Sequence, residues 1–456
     1  MTKSDIYKEQ ITKAINAFSQ KKFNEAEEIC LKILSANNNP DANHILGCIR
    51  MSEGRYDESI TLINNALSVN PDDIGTLISL GCALSSKKDH EKSIVIFKKI
   101  ISLKDDISQV HFYLGESYRQ VQNFEAALTS FKRCLSITPD HIGCQLMIGI
   151  IYEELKKFDQ AISFYKSCIE TYPDYIEPHI NLGMCLLLTG NYNEGWHEYE
   201  WRLKLPAKVY EMKFIKPKWT GQDLLGKKLL IVAEQSIGET FQYIRFAKLL
   251  AMEGAKIIIM AQPEITNILR QQEWITDVIE YDDKAEYDYY TYLISIAKTL
   301  EWSPDMDTQK FPYIKVNDDL ADKVNNTRKN IGIMIKADKN LSNYNQISVP
   351  KDEIDPIFEK SSHNIIDLSE YDDFDKLAEV IKDLDLVVSI ESDIVHLAGS
   401  LNIPVWLMLS AVPKHTWDLS YKNTSPWYPS LMLFRQESRD NWTEVVEKIK
   451  ENLTSV

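Results

Sequence analysis

The sequence predicts an α + α/β chain, a helical array over residues 1–205 followed by two parallel α/β units, and three observations predict it. Small residues and aromatics recur every 34 residues as far as about residue 203. From Lys227 the pattern switches to short apolar runs alternating with helical spacing, the mark of parallel strands joined by helices. A polar, charged bridge over residues 318–330 then divides that region into two series, with a cleft expected between them.

The bulk composition sets the class. At 456 residues, 44% apolar and 26% charged, the chain has room for about three globular domains. A formal charge of −16 excludes a chain-wide surface for nucleic acid or anionic membrane, which needs clustered Lys and Arg. The first residues are amphipathic rather than signal-like, and no apolar run is long enough to span a bilayer, so a cytosolic (cytoplasmic) protein is expected. The seven cysteines, Cys30, Cys48, Cys82, Cys134, Cys144, Cys168 and Cys185, contain no C-x-x-C pair. They read as small buried residues of a reduced protein, with no metal-binding or redox spacing.

Five copies of the repeat align without a gap. A glycine recurs as Gly47, Gly81, Gly115, Gly149 and Gly183, each after Leu or Ile, and marks where two helices cross. Tyr56, His90, Phe124, Phe158 and Tyr192 open the second helices, and Ser59, Ser93, Ala127, Ala161 and Gly195 follow three positions later. Pro71, Pro139 and Pro173 lie just beyond second helices, which a proline cannot continue. An earlier copy with Phe23 and Ala26 sits one residue closer. The pattern resembles the tetratricopeptide (TPR) family, which implies about six helix pairs in a superhelix whose groove binds a peptide or partner protein. Polar positions of the first helices, Asn43, His111 and Asn181, are the expected groove contacts.

Residues 206–226, with Pro217, Trp219 and Gly221, are too aromatic for a free tether and read as a docked linker. The first α/β unit, 227–317, has strands predicted at 229–233, 255–260 and 278–279, helices at 240–252 and 265–270, and a tyrosine-rich segment at 287–300. The second, 328–456, has strands at 331–338, 364–368, 386–390 and 405–409, and helices at 354–360, 374–384, 394–401 and 442–453. Residues 384–406 are the stretch where chemistry is expected. Strand, turn and helix there bring unpaired N–H groups to the carboxyl end of a parallel strand, which favours an anion. Ser392 or Asp393 would cap that helix, and His396 lies in its first turn.

Several motifs in this order, YEWR at 199–202, PKWTGQDLLGKKLL at 217–230, EQSIGETFQYIRF at 234–246, ESDIVHLAG with IPVW, and SPWYP with LFRQ, resemble a tetratricopeptide array joined to a two-Rossmann-domain (GT-B) glycosyltransferase. The similarity is to the heptosyltransferase-like (family 9-like) type, including repeat-containing glycosyltransferases that modify flagellin or other proteins. It implies an acceptor side on the first α/β unit, a nucleotide-sugar side on the second, and no metal or other cofactor. Glu239 occupies the place of the family's general base, although a carboxylate is equally favoured there by the helix dipole. The donor and its phosphates would meet Gly238, Lys336, Glu391, Ser392, Asp393, His396 and Arg435. Trp417, Trp427 and Tyr428 are candidates to stack on base or sugar, or else packing anchors. The chain departs from the family at Ser236, at Glu239 and Glu391 where Asp is usual, and over 337–346, which lacks the usual arginines.

The resemblance implies an inverting, metal-independent glycosyltransferase. Its repeats would recruit a protein acceptor, flagellin or another surface protein being the class implied, and a sugar would pass from a nucleotide-sugar to Ser or Thr. The alternative is a non-catalytic adaptor or scaffold whose α/β half is a degenerate ligand-binding domain.

Overall fold

The computed structural model describes residues 3–281, 284–306, 311–316, 328–337 and 347–454. The chain forms two compact units, Met1–Pro173 and Asp174–Val456.

The first unit is a run of antiparallel helix pairs: α1 (Lys3–Ser19) with α2 (Phe23–Leu34), α3 (Pro40–Ser52) with α4 (Tyr56–Leu67), α5 (Ile74–Ser86) with α6 (His90–Leu103), α7 (Ser108–Gln120) with α8 (Phe124–Ile137), and α9 (Ile142–Glu154) with α10 (Phe158–Thr171). The predicted opening residues Phe23, Tyr56, His90, Phe124 and Phe158 are the first residues of α2, α4, α6, α8 and α10. The repeating glycine lets the paired helices touch. A Cβ on Gly81, Gly115 or Gly149 would stand 2.6, 2.7 and 2.5 Å from the ring of Phe97, Phe131 and Tyr165, in each case sixteen residues on. The turn within each pair places Gly54, Lys88, Gln122 and Lys156 at φ between 57° and 76°, again 34 residues apart. Only one of these is glycine, so three side chains accept a left-handed conformation that Gly would adopt freely.

The second unit begins with the sixth pair, α11 (Ile176–Leu188) and α12 (Tyr192–Tyr199). The compact unit that holds the sheets thus starts ahead of the sixth pair, and α12 shows what it buries there. Trp196 donates to the Trp302 carbonyl at 3.0 Å and packs in a cluster with Tyr243 and Trp427, while the Tyr192 hydroxyl donates to Asp418 at 2.6 Å. Residues 206–226 dock on the sheet that follows: Trp219 is buried and its backbone N–H donates to the Tyr290 carbonyl at 2.7 Å, while Phe214 stacks on Tyr290 at 3.9 Å.

Two parallel sheets follow. The first contains β1 (Lys228–Val232), β2 (Lys256–Met260), β3 (Ile275–Ile279) and β4 (Tyr289–Tyr292) in the order β3-β2-β1-β4, with α13 (Ile237–Met252), α14 (Thr266–Arg270) and α15 (Ser295–Thr299) between or after strands. The second contains β5 (Asn330–Met334), β6 (Asn364–Asp367), β7 (Leu386–Ile390), β8 (Val405–Leu409) and β9 (Leu431–Arg435) in the order β6-β5-β7-β8-β9. Its helices are α16 (Lys351–Glu359), α17 (Phe374–Lys382), α18 (Asp393–Ser400) and α19 (Thr443–Leu453). All pairings are parallel, and the central strands β7 and β8 are buried along their whole length, which is why they read as unbroken apolar runs. The strand order reverses between β1 and β4 and between β5 and β7, and a crevice opens at the carboxyl ends of such neighbours. The predicted bridge at 318–330 and the arginine-free loop at 337–346 lie largely outside the described residues.

Candidate functional site at the seam between two parallel sheets

Each sheet sends one helix to a common seam. α13 follows β1 and α18 follows β7, and their N-termini meet: the Gly238 N–H donates to Asp393 Oδ1 at 2.9 Å. A Cβ on Gly238 would collide with that carboxylate and come within 2.9 Å of His396 Cδ2. Gly238 thus permits a close approach of Asp393 of this chain. An anion at a helix N-terminus is stabilised by the dipole, and here the protein supplies it.

Glu239 closes a capping box. Its carboxylate accepts the Ser236 N–H at 3.1 Å while the Ser236 hydroxyl accepts the Glu239 N–H at 3.2 Å. Glu239 is half-buried, and its charge acts on the phenols of Tyr199 and Tyr243. Burial first and that charge second push both phenols above the ordinary range, so both are protonated donors. The Tyr199 ring lies 5.0 Å from that of His415, whose pKa falls to about 3 through burial and the nearby Lys414 and Arg202. The Tyr243 hydroxyl, His415 Nε2 and both amide atoms of Gln242 are buried without a partner among the described residues.

At the first reversal point the crevice is filled by the protein. Glu234, directly after β1, accepts the Leu293 and Ile294 N–H groups at 3.0 and 3.3 Å. Arg202 bridges Glu234 and Glu200 at 2.8 Å each, and Ser295 donates to Glu200 at 2.7 Å. Burial opposes ionisation of Glu200, yet Arg202 and Lys218 hold its pKa down at about 2. This network joins the YEWR and EQSIGE motifs, two stretches that the sequence quotes as separate signals. The sequence shows Arg202 two residues after Glu200 but not which distant carboxylate it reaches.

At the second reversal point Ser392 is the N-cap residue of α18, but its side chain makes no capping bond and instead lies 3.1 Å from the Ser389 hydroxyl. Glu391 accepts the Lys414 N–H at 3.1 Å and bonds the Trp417 indole; burial raises its pKa against the pull of Lys414 and Arg435. His396 is buried, 2.9 Å from the Tyr428 hydroxyl and stacked on Trp417, and burial lowers its pKa to about 3. At neutral pH it is uncharged. Arg435 donates through Nη2 to the carbonyls of Trp417, Asp418 and Tyr421 at 3.3, 3.0 and 3.1 Å, which ties down their loop.

The remaining candidates fall elsewhere. Lys336 is exposed in a cavity of about 500 Å³ that it shares with Lys351 and the carboxylates Asp355, Glu359, Asp367 and Glu370. Such surroundings disfavour a second anion. Trp417, Trp427 and Tyr428 are at most 2% exposed, and Trp427 stacks on Trp302 at 4.2 Å. They are packing anchors rather than free stacking surfaces, because their apolar area is already covered. Asn43 and His111 are buried and bonded to their own loops, Asn43 to Asn38 and Asn39, His111 to Asp105. They position loops instead of facing a groove; Asn181 is half-buried. Lys414, exposed beside Glu391, His396 and His415, is the cation at the seam that the sequence reading missed.

Comparison with known proteins agrees on the repeats. The tetratricopeptide repeat family matches residues 40–73, 74–107 and 106–174. Protein FlbA of Caulobacter vibrioides is 23% identical over 328 residues, covering 58% of this chain and 52% of that protein, so the chain spans about half the length of the curated relative it matches. Among solved structures, a crystal structure of MamA aligns with 35% of this chain and 92% of its own at 20% identity and a TM-score of 0.33. MamA 41-end from Desulfovibrio magneticus RS-1 aligns with 36% and 94% at 14% identity and a TM-score of 0.35. Residues 40–174 are tetratricopeptide repeats, and such repeats point to protein–protein interaction. No helix among the described residues is long and apolar enough to cross a membrane.

Proposed function

We propose that the chain is a glycosyltransferase of the two-Rossmann-domain type, inverting and metal-independent, that recruits a protein acceptor through its repeats and transfers a sugar from a nucleotide-sugar to Ser or Thr. The observation that carries this reading is the seam. Two parallel sheets in one compact unit each direct a helix N-terminus from the carboxyl end of a central strand, and the Gly238 N–H to Asp393 bond joins the two termini. Around it stand groups suited to the chemistry: Glu239 as general base for the acceptor hydroxyl, protonated Tyr199 and Tyr243 as donors, and Lys414 as the cation for the departing phosphates. Flagellin or another surface protein remains the acceptor class suggested by resemblance.

A non-catalytic adaptor with a degenerate ligand-binding half is the second reading, and a specific observation favours it. Asp393, not a bound ligand, satisfies the α13 N-terminus, and Glu239 is engaged in a capping box. The two readings separate in one experiment on the full chain. A thermal-shift panel of UDP-, GDP-, ADP- and CMP-linked sugars is followed by intact-mass measurement of a co-expressed acceptor. A ligand at 100 times its dissociation constant stabilises by about 2.7 kcal/mol. The enzyme reading expects one nucleotide to shift the transition and the acceptor mass to rise by a glycosyl unit. Glu239→Gln should abolish the mass increase and retain the thermal shift. No shift with any nucleotide-sugar and no mass change would leave the adaptor.

A further inference from the structure

The cysteines show no linear metal spacing, yet the fold brings two of them together with a histidine. Cys134 is in the last turn of α8, His141 is the N-cap residue of α9, and Cys144 is the third residue of α9. One ligand atom of each lies within 4.8 Å of the other two. We infer that Cys134, His141 and Cys144 form a three-ligand site for a thiophilic divalent cation of the zinc class, joining α8 to α9 between consecutive repeats.

The ligand chemistry fits on each count. The Cys144 N–H donates to His141 Nδ1 at 3.2 Å, so Nδ1 is the unprotonated ring nitrogen, the state a metal requires. The bond is long, and a cation taking that lone pair gives up little. Phe112 stacks on the imidazole with ring centres 5.0 Å apart and holds its plane. The two thiols hydrogen-bond each other, so both sulfurs already face one point in space. Two thiolates neutralise a divalent cation, and binding releases two protons to solvent. Both cysteines are buried while His141 is half-exposed, which leaves the imidazole side as the entry. Three protein donors leave the fourth position to water.

The repeats supply an internal control. One period earlier the same three positions hold Ile100, Ile107 and Val110; two periods earlier, Ala66, Asp73 and Thr76; one period later, Cys168, Tyr175 and Pro178. Apolar packing at this junction is therefore satisfied elsewhere without a thiol pair or an imidazole. Because each repeat of such an array holds only its neighbours, a cation here strengthens one interface of the stack.

The test is a cobalt(II) titration of the reduced full-length chain. The expected result is a thiolate-to-cobalt absorption that saturates at one cobalt per chain and is displaced by zinc. Cys134→Ser with Cys144→Ser should abolish it, with the other five cysteines unchanged. His141→Asn, which keeps a capping oxygen, should weaken it at least tenfold. X-ray absorption of the zinc-loaded wild type gives an answer that does not depend on variants folding: two sulfurs at about 2.3 Å and one nitrogen at about 2.0–2.1 Å are expected. Absence of the absorption in excess cobalt, its retention in the double variant, or a shell without sulfur overturns the site.

Discussion

Gly238 and Asp393, 155 residues apart in the chain, meet through one hydrogen bond of 2.9 Å that joins the first turn of α13 to the first turn of α18. No other residue type fits at Gly238 without moving that carboxylate. Gly238→Ala should therefore lower the unfolding free energy of the second unit by about 1–3 kcal/mol, the usual cost of overpacking. Urea denaturation followed by tryptophan fluorescence measures it, because all nine tryptophans lie in that unit. A change below about 0.5 kcal/mol would mean that the seam opens freely.

Arg202 is 2% exposed and joins two carboxylates, one of which, Glu234, has no exposed side-chain surface. Arg202→Met strands Glu234 in the interior and should cost about 3–5 kcal/mol by the same measurement. Adding Glu234→Gln removes the stranded charge while keeping an acceptor for Leu293 and Ile294, so the double variant should recover most of the loss. An additive double variant would show that the charge was not the cause.

Acid should destabilise the second unit earlier than carboxylate protonation alone would. His396 and His415 are held near a pKa of about 3 by burial, against an ordinary 6.5. With the folded values depressed, their contribution is complete above pH ~6.5 and is lost as the pH falls toward about 3, because only the unfolded chain takes up protons in that window. The slope of unfolding free energy between pH 6 and 4.5, roughly the middle of that window, should correspond to about two protons. His396→Gln should reduce it by about one; an unchanged slope would assign the protons elsewhere.

Two glycines of the array should respond differently. A Cβ at Gly115 would meet Phe131 at 2.7 Å, whereas at Gly54 nothing lies within 4 Å and only φ of +76° resists a side chain. Gly115→Leu should cost about 3 kcal/mol or more, and Gly54→Ala about 1 kcal/mol. Hydrogen exchange of the peptides spanning α7–α8 and α3–α4 reads each locally. Equal losses would refute the crossing-contact account.

Much of the local structure was legible because each rule involved is short-ranged. The residues opening α4, α6, α8, α10 and α12 come from the repeat period, and β1, β7 and β8 from short unbroken apolar runs. The candidate site was legible only as an inventory. Glu239 lies at the N-terminal end of α13, which begins at Ile237 rather than at residue 240 as expected; the dipole reading and the catalytic reading share that address, and the capping box appears only in three dimensions. Trp417, Trp427 and Tyr428 were open between stacking and packing because a sequence does not show what already covers a ring. Lys414 escaped notice because nothing in a lone lysine after a proline tells which buried groups lie beside it.

By itself the sequence determined the order of parts: helix pairs repeating every 34 residues, then two series of parallel strands and helices. These follow from side-chain periods that act within a few turns or a few strand residues. Only the tertiary structure decided that the sixth helix pair belongs with the sheets, that Arg202 reaches Glu234, that Asp393 answers Gly238, and that Cys134, His141 and Cys144 converge. Each of these depends on which faces remain to be covered once the elements exist. That is a property of packing across tens to hundreds of residues, and no local pattern carries it.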